Sequence, residues 1–599
     1  MNKIPLKTFW EAVEQRLTAY SADELRSILR GMAQETLPTG RQAFLDKLKP
    51  KAETAAAAQQ AIGQDDLLAD IDDLAQELQA AMDRAEPWED EHEWYEYGEY
   101  GGYDEEDSLG PYEKSVEPLT ALFDRTEAAF DYGDLMLARE AYQKLFEVLD
   151  CEDDYGRRVS LSDLESVDGG EAVARYLRAV YETEKPARRP KALFEQMQQT
   201  RLWLVGRHST LDDIIQISAK PLPDYDRFVE DWIAFLQKQA GSDADTWLRE
   251  AIRLSQGTAG LEELARAEGK KRPRAYLDWF TALEGEGKHR EVLAGAQEAL
   301  DMLPAKLPIR AAIADHLCAA AARLKETQAL RAGRWEAFLV KPVLPRLLDL
   351  WDVAPDDKER VELMQQAAQH AKSYLAHPSR RQETWAAEWH EDDLEATAWI
   401  DKSEMAHAYL LAGDWDTAHQ LAAHEKTLGW SSGDNTQGLV MPFFLVLLSG
   451  KSPNALPPNL ALVWQQALQT SANLGYWNES DKEEKSTLKR LERAYAERLV
   501  KALLTSDQRK EMLSWCLRVG KQRTDDIVGN LHRGSYDKAA TLTAACAETL
   551  QSQGKAAEAD AMLDDARNRY PRHRAFQSEL ETAMQRMGRS PKRKGNKKI

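Results

Sequence analysis

The sequence predicts an all-α chain, an α-solenoid of helical hairpins with a small helical module at its N-terminus. Three observations predict it. Ala, Leu, Glu, Gln and Arg dominate the 599 residues. Apolar residues recur at steps of three and four, as one face of a helix requires. Runs of β-branched residues in strict alternation are nearly absent. A chain this long exceeds what one hydrophobic core supports, so several domains or one elongated array of repeats is expected.

Composition narrows the function classes. The hydrophobic fraction of 43% is that of an ordinary folded protein. The formal net charge of −23 repels phosphate backbones and anionic lipids except where charge is locally segregated. Cys151, Cys318, Cys516 and Cys546 lie far apart and form no CxxC or CxC pair. That pattern argues against a disulfide scaffold or a Cys-based zinc site and fits a reducing compartment. The opening "MNKIPLKTFWEAVEQRL" lacks the apolar core of a signal peptide. The longest apolar run, "GLVMPFFLVLLSG" at 438–450, is too short for a bilayer-crossing helix of about 20 residues and reads as a buried core helix. A cytoplasmic protein with no membrane contact is expected.

The elements follow in order. Residues 1–50 form the N-terminal module: Phe9, Trp10, Val13 and Leu17 share one face, and Ser21 with Glu24 makes a capping box. Pro38 and Gly40 break the chain before "RQAFLDKL". Residues 51–85 are Ala-rich and then amphipathic, with Leu67, Ile71, Leu74, Leu78 and Ala81 on a heptad-like seam. The seam is expected to pack on its own domain, with a partner-binding coiled coil as the alternative. Residues 86–112 hold "EPWEDEHEWYEYGEYGGYDEED", in which acids and rings alternate without Lys or Arg.

Residues 113–585 repeat one grammar. In "EPLTALFDRTEAAFDYGDLMLAREAYQKLFEVL", Gly133 is followed by Ala138 and Tyr142. Gly287 is followed by Val292, Ala299 and Pro304; Gly413 by Trp415 and Ala418; Gly554 by Ala559, Ala566 and Pro571. The glycine ends the first helix, the small residue lets two helix axes approach, and the proline ends the second helix. "WLREAIRLSQ", "RWEAFLVKPVLPRLLDLW" and "RLERAYAERLVKALL" continue the array between these units. One hairpin cannot bury its apolar face alone, so neighbours must stack.

At these four units the chain resembles the tetratricopeptide (TPR) repeat family, whose unit is a helix–turn–helix of about 34 residues with small residues at the crossing and a terminal proline. The resemblance covers about a quarter of the chain, in separated pieces. It implies stacked helical hairpins and a concave binding face. The tract "EWYEYGEYGGYDEED" followed by helical repeats also resembles segments of bacterial proteins that carry a SWIM zinc finger. That finger needs Cys-x-Cys, which is missing here, so zinc is not carried over.

Candidate chemistry is sparse. Ser431 sits in "GWSSG", which matches the nucleophile elbow GxSxG, but the flanking sequence reads as helix, whereas the elbow needs a strand running into a helix. "SGKS" at 449–452 lacks the earlier glycine of a phosphate loop, since Leu445 holds that place. His390 and Asp393 in "WHEDDLE" could share a helix face, which makes half a metal site at most. No catalytic residue, metal or cofactor is assigned.

Two segments remain as binding candidates. Trp88, Trp94, Tyr95, Tyr97, Tyr100 and Tyr103 stand among carboxylates, which suits docking into a basic groove with apolar pockets, with an inert linker as the alternative. The tail 586–599 carries Lys592, Arg593, Lys594, Lys597 and Lys598, candidates for polyanion contact, for pairing with the acidic stretch, or for mere solvation. The expected function is a scaffold or adaptor that binds protein partners without catalysis. A hydrolase built on Ser431 or His390 and a nucleic-acid-associated protein using the tail are the alternatives.

Overall fold

The computed structural model describes residues 6–35, 64–84, 109, 112–153, 156–164, 166–200, 208–376, 400–426, 428–429, 435–472 and 482–589. Every regular element among the described residues is a helix. Two compact units emerge, Met1–Leu264 and Ala265–Ile599.

The first unit contains α1 (Leu6–Ala19), α2 (Ala22–Glu35), α3 (Gln64–Met82), α4 (Glu113–Tyr132), α5 (Leu135–Leu149), α6 (Gly169–Thr183), α7 (Arg189–Thr200), α8 (Leu211–Gln216), α9 (Tyr225–Leu236) and most of α10 (Ser242–Glu268), which is broken at Gly257 (φ +62°) and whose last residues belong to the second unit. The Ser21–Glu24 capping box is present: the Ser21 amide donates to the Glu24 carboxylate at 2.7 Å, and the Glu24 amide to the Ser21 hydroxyl at 3.3 Å. The α3 seam packs inward, with Leu67, Ile71, Leu74 and Leu78 buried against α4 and α5. Arg125 and Lys144 reach back to Asp70 and Asp72 at 2.6 and 2.5 Å and tie α3 down. From there neighbours pack in chain order, α4 on α5 and α6, α6 on α7 and α8, α7 on α9. The α4–α5 turn shows why its glycine is there. Gly133 sits at φ +90°, and its amide and that of Asp134 close onto Phe130 and Ala129. Ala138 and Tyr142, five and nine residues on, are fully buried.

The second unit contains α11 (Arg274–Gly285), α12 (His289–Met302), α13 (Arg310–Leu324), α14 (Thr327–Val340), α15 (Leu344–Val353), α16 (Asp357–Leu375), α17 (Lys402–Ala412), α18 (Trp415–Ala423), α19 (Gln437–Ser449), α20 (Pro458–Ser471), α21 (Lys482–Lys501), α22 (Ser506–Gly529), α23 (Tyr536–Ser552), α24 (Ala556–Arg569) and α25 (Arg574–Arg586). The remaining glycine units hold: Ala299, Ala418 and Ala559 are fully buried at their crossings, and Pro304 and Pro571 follow just past α12 and α24. Up to α20 each helix packs on the next; then the chain turns back on itself. Here α21 lies on α15 and α17, α22 on α19, and α23 on α19, α20, α22, α24 and α25. Two helices are buried on all sides, for opposite reasons. The run 438–450 becomes α19, whose large apolar side chains fill the core. The alanines of α23 instead leave room for five neighbours.

Small residues at crossings carry a measurable cost of substitution. A Cβ on Gly333 of α14 would lie 2.6 Å from Leu317 and 2.7 Å from the Cys318 sulfur of α13. Gly333→Leu is expected to destabilise the second unit by about 1–3 kcal/mol through overpacking, read as a lower urea midpoint. An unchanged midpoint would show that this crossing is loose.

Long charged side chains finish the helix ends of their neighbours. Arg178, 1% exposed, donates to the carbonyls of Ile214 at 3.3 Å and Lys220 at 2.5 Å. Arg310 takes the Leu300 and Leu303 carbonyls at 2.5 and 2.7 Å, Arg360 that of Trp351 at 3.2 Å, and Arg498 that of Ala412 at 3.1 Å. Each stands at or just past a helix C-terminus, where orphan carbonyls and the macrodipole favour a cation. Glutamates do the reverse at N-termini. Glu250 accepts the Leu211 and Asp212 amides, both at 3.0 Å, and Glu548 accepts those of Asn459 and Leu460 at 3.2 and 2.8 Å. Glu548 substitutes for a local cap, since α20 opens on Pro457 and Pro458 with no side-chain cap of its own, whereas Glu250 adds to the Thr210–Asp213 capping box of α8.

Candidate functional site

A concave feature of the second unit lies where α22, α23 and α24 meet, a cavity of about 350 Å³. Its position follows from the repeat grammar. Gly554 at φ +76° folds α24 back on α23, and Ala559 and Ala566 bring the two axes close. The outward neighbours of those alanines on α24, Ala561, Met562 and Asp565, then face Leu517 and Lys521 across the opening.

The floor is apolar, from Leu517, Leu550, Met562 and Ala566. Two buried hydroxyls sit in it, Thr524 and Thr543, 3.1 Å apart, each also close to a backbone carbonyl of its own helix, Gly520 at 2.8 Å and Ala539 at 2.9 Å. The rim alternates in charge. Arg569 pairs with Asp565 at 2.5 Å and with Asp525, Lys521 stands 3.7 Å from Asp565, and Tyr570 donates to Asp525 at 2.6 Å. The Arg569 guanidinium holds the Asp565 carboxyl below the usual carboxylate range. Burial, reinforced by Asp525, pushes the Tyr570 phenol up to about 12, so it remains a donor. The lining includes no His or Cys. Such a surface can desolvate one apolar side chain and steer flanking charges of either sign.

A second depression, in the first unit, lies between α7 and α9 and measures about 450 Å³. Phe228 and the half-buried Phe235 lie in its base, and Pro186 and Pro190 form one wall. Arg189, buried, pairs with Asp224 at 3.3 Å and stacks over Tyr181 at 4.6 Å, whereas Lys191, Arg227 and Lys238 are exposed around the opening.

Trp88, Trp94, Tyr95, Tyr97, Tyr100, Tyr103, Lys592, Arg593, Lys594, Lys597, Lys598, Ser431 and His390 all lie outside the described residues. The "SGKS" tract is the end of α19: Leu445 is fully buried, and the Ser449 hydroxyl donates to the Val446 carbonyl at 2.7 Å. Among the described residues no group of three His, Cys, Asp or Glu could hold a metal ion, and no helix is long and apolar enough to cross a membrane. Sequence reasoning missed both depressions, because each draws its lining from separated helices. The one available signal was the pair of threonines on otherwise apolar faces of α22 and α23.

No protein-family model matches the chain, and no curated protein matches it. Among solved structures, it is similar to a circular tandem repeat protein with novel repeat topology and enhanced subunit contact surfaces, at 14% identity over 80% of this chain and 97% of that one, with a TM-score of 0.15. An overlap that slight leaves the fold resting on the helices themselves.

Proposed function

We propose that this chain is a non-catalytic helical-repeat scaffold that binds peptide segments of protein partners. The cavity between α22, α23 and α24 carries the reading: an apolar floor of side-chain size under a rim of alternating charge is the anatomy of an anchor pocket. The anchor would be one large apolar residue flanked by charged ones. Four free thiols, three of them buried, support a reducing, cytoplasmic setting.

Panning a random-peptide phage library on the full-length protein tests it. Enriched peptides are expected to share one large apolar residue with charge beside it. Ala561 is exposed at the cavity mouth, so Ala561→Trp fills the space without disturbing the core. That variant is expected to bind the enriched peptides about tenfold more weakly or worse, the loss that blocking an anchor produces. Peptides that bind wild type and variant alike would remove the cavity from the function.

A further inference from the structure

We propose that the groove between α7 and α9 seats the acidic, ring-bearing segment 86–107 of the same chain. The two are complementary in charge. The groove lining holds Arg189, Lys191, Arg227 and Lys238 against Asp224 and Asp231, a local excess of two positive charges in a chain of net charge −23. Asp224 is already engaged by Arg189, while Lys191 stands 3.7 Å from Glu195 and Arg227 4.0 Å from Asp231, loose exposed pairs that a denser run of carboxylates can displace. The segment contains no Lys or Arg, so every charged contact it makes with those cations is attractive.

They are also complementary in shape and surface. The half-buried Phe235 and the exposed Pro186 offer apolar surface to indole and phenol rings, over a base closed by the buried Phe228 and Pro190, and the neighbouring cations favour ring faces. The groove's 450 Å³ lies within the range of about 300–1,000 Å³ over which ligand pockets hold side-chain-sized groups.

The tether reaches. The segment leaves from the end of α3, which is tied to α4 and α5, and returns at Tyr112, whose buried hydroxyl donates to Asp153 at 2.7 Å. From α4 the groove is three packed helices away, α4 to α6, α6 to α7 and α7 to α9. At about 8–10 Å per helix spacing that is roughly 30 Å, while the chain from Arg84 to Tyr97, and from Tyr97 to Tyr112, extends roughly 45 Å each way, so the middle of the segment around Tyr97 reaches the groove. Tethering at that range gives effective concentrations on the order of mM, so modest contacts suffice. This site is separate from the C-terminal cavity, so its failure would leave the scaffold reading untouched.

The test uses the full-length chain carrying the photo-crosslinker p-benzoylphenylalanine in place of Tyr97. Crosslinks within one chain to peptides covering 186–191 or 224–238 are expected. Their yield should fall at least about fivefold at 1 M salt, where exposed charges are screened beyond ~3 Å. A similar fall is expected in the Lys191→Glu, Arg227→Glu, Lys238→Glu triple variant, whose exposed positions leave the circular dichroism unchanged. Crosslinks that map elsewhere, that join only separate chains, or that persist undiminished in the triple variant would overturn the proposal.

Discussion

Acidifying the protein from pH 7 to pH 4 is expected to remove roughly 3 kcal/mol of unfolding free energy through His407 alone. The side chain is 1% exposed on α17, with Nδ1 2.7 Å from the Tyr495 hydroxyl and Nε2 without a partner. Burial pushes the imidazole down from 6.5 to about 3. The unfolded chain therefore takes up a proton below 6.5 that the native state refuses until about 3, and stability falls as pH drops through that window. Glu404, one turn earlier, acts with the opposite sign. Burial, then the charge of Asp401, pushes its carboxyl up to about 8. Its contribution is whole below 4.5 and is lost as pH rises through 8, so it opposes His407 between 6.5 and 4.5. The steepest loss should fall below 4.5. Urea unfolding of wild type and His407→Gln at both pH values isolates the term: the variant should lose roughly 3 kcal/mol less on acidification. Parallel losses would show that the imidazole is hydrated in the native state.

Glu548→Ala should cost about 3 kcal/mol or more, because it strips three donors of their acceptor in one step. The carboxylate is 3% exposed and serves the Asn459 and Leu460 amides together with the Asn459 side chain, whose nitrogen donates at 2.7 Å. Nothing nearby in sequence can replace it, since the helix it caps opens on Pro457 and Pro458 with no side-chain cap. Chemical denaturation gives the loss, and hydrogen exchange locates it: the Leu460 amide should lose protection more than amides mid-helix in α20. A loss under 1 kcal/mol, or protection unchanged at Leu460, would mean that water fills the vacated place.

The hairpins were legible in the sequence because their rules are local. Gly133, Gly413 and Gly554 each fix a turn that the next few residues must satisfy, and the buried alanines that follow sit at helical offsets from them. The buried nature of 438–450 was equally plain, since a run with no polar face can lie only inside. What stayed hidden depends on partners distant in the chain. Glu548 lies 88 residues from Leu460, and His407 lies 88 from Tyr495. In sequence, Glu548 looks like one more surface acid on an amphipathic helix. The return of α21–α25 onto α15–α20 was hidden for the same reason, as helical periodicity states which face is apolar and is silent on what covers it. The cavity between α22, α23 and α24 arises within that return, and the α7–α9 depression from two first-unit helices that are not consecutive in the chain.

The late cap on α20 bears on how the protein is made. A ribosome emitting about 5–20 residues per second finishes α19 and α20 several seconds before α23 exists to receive them. Throughout that interval the side of Leu439 to Leu448 that α22 and α23 later cover stays open, and the amides at the head of α20 lack their acceptor. Nascent chains of this protein should therefore depend on holding factors at that stage of translation, and truncations ending between residues 470 and 535 should be the ones that clump.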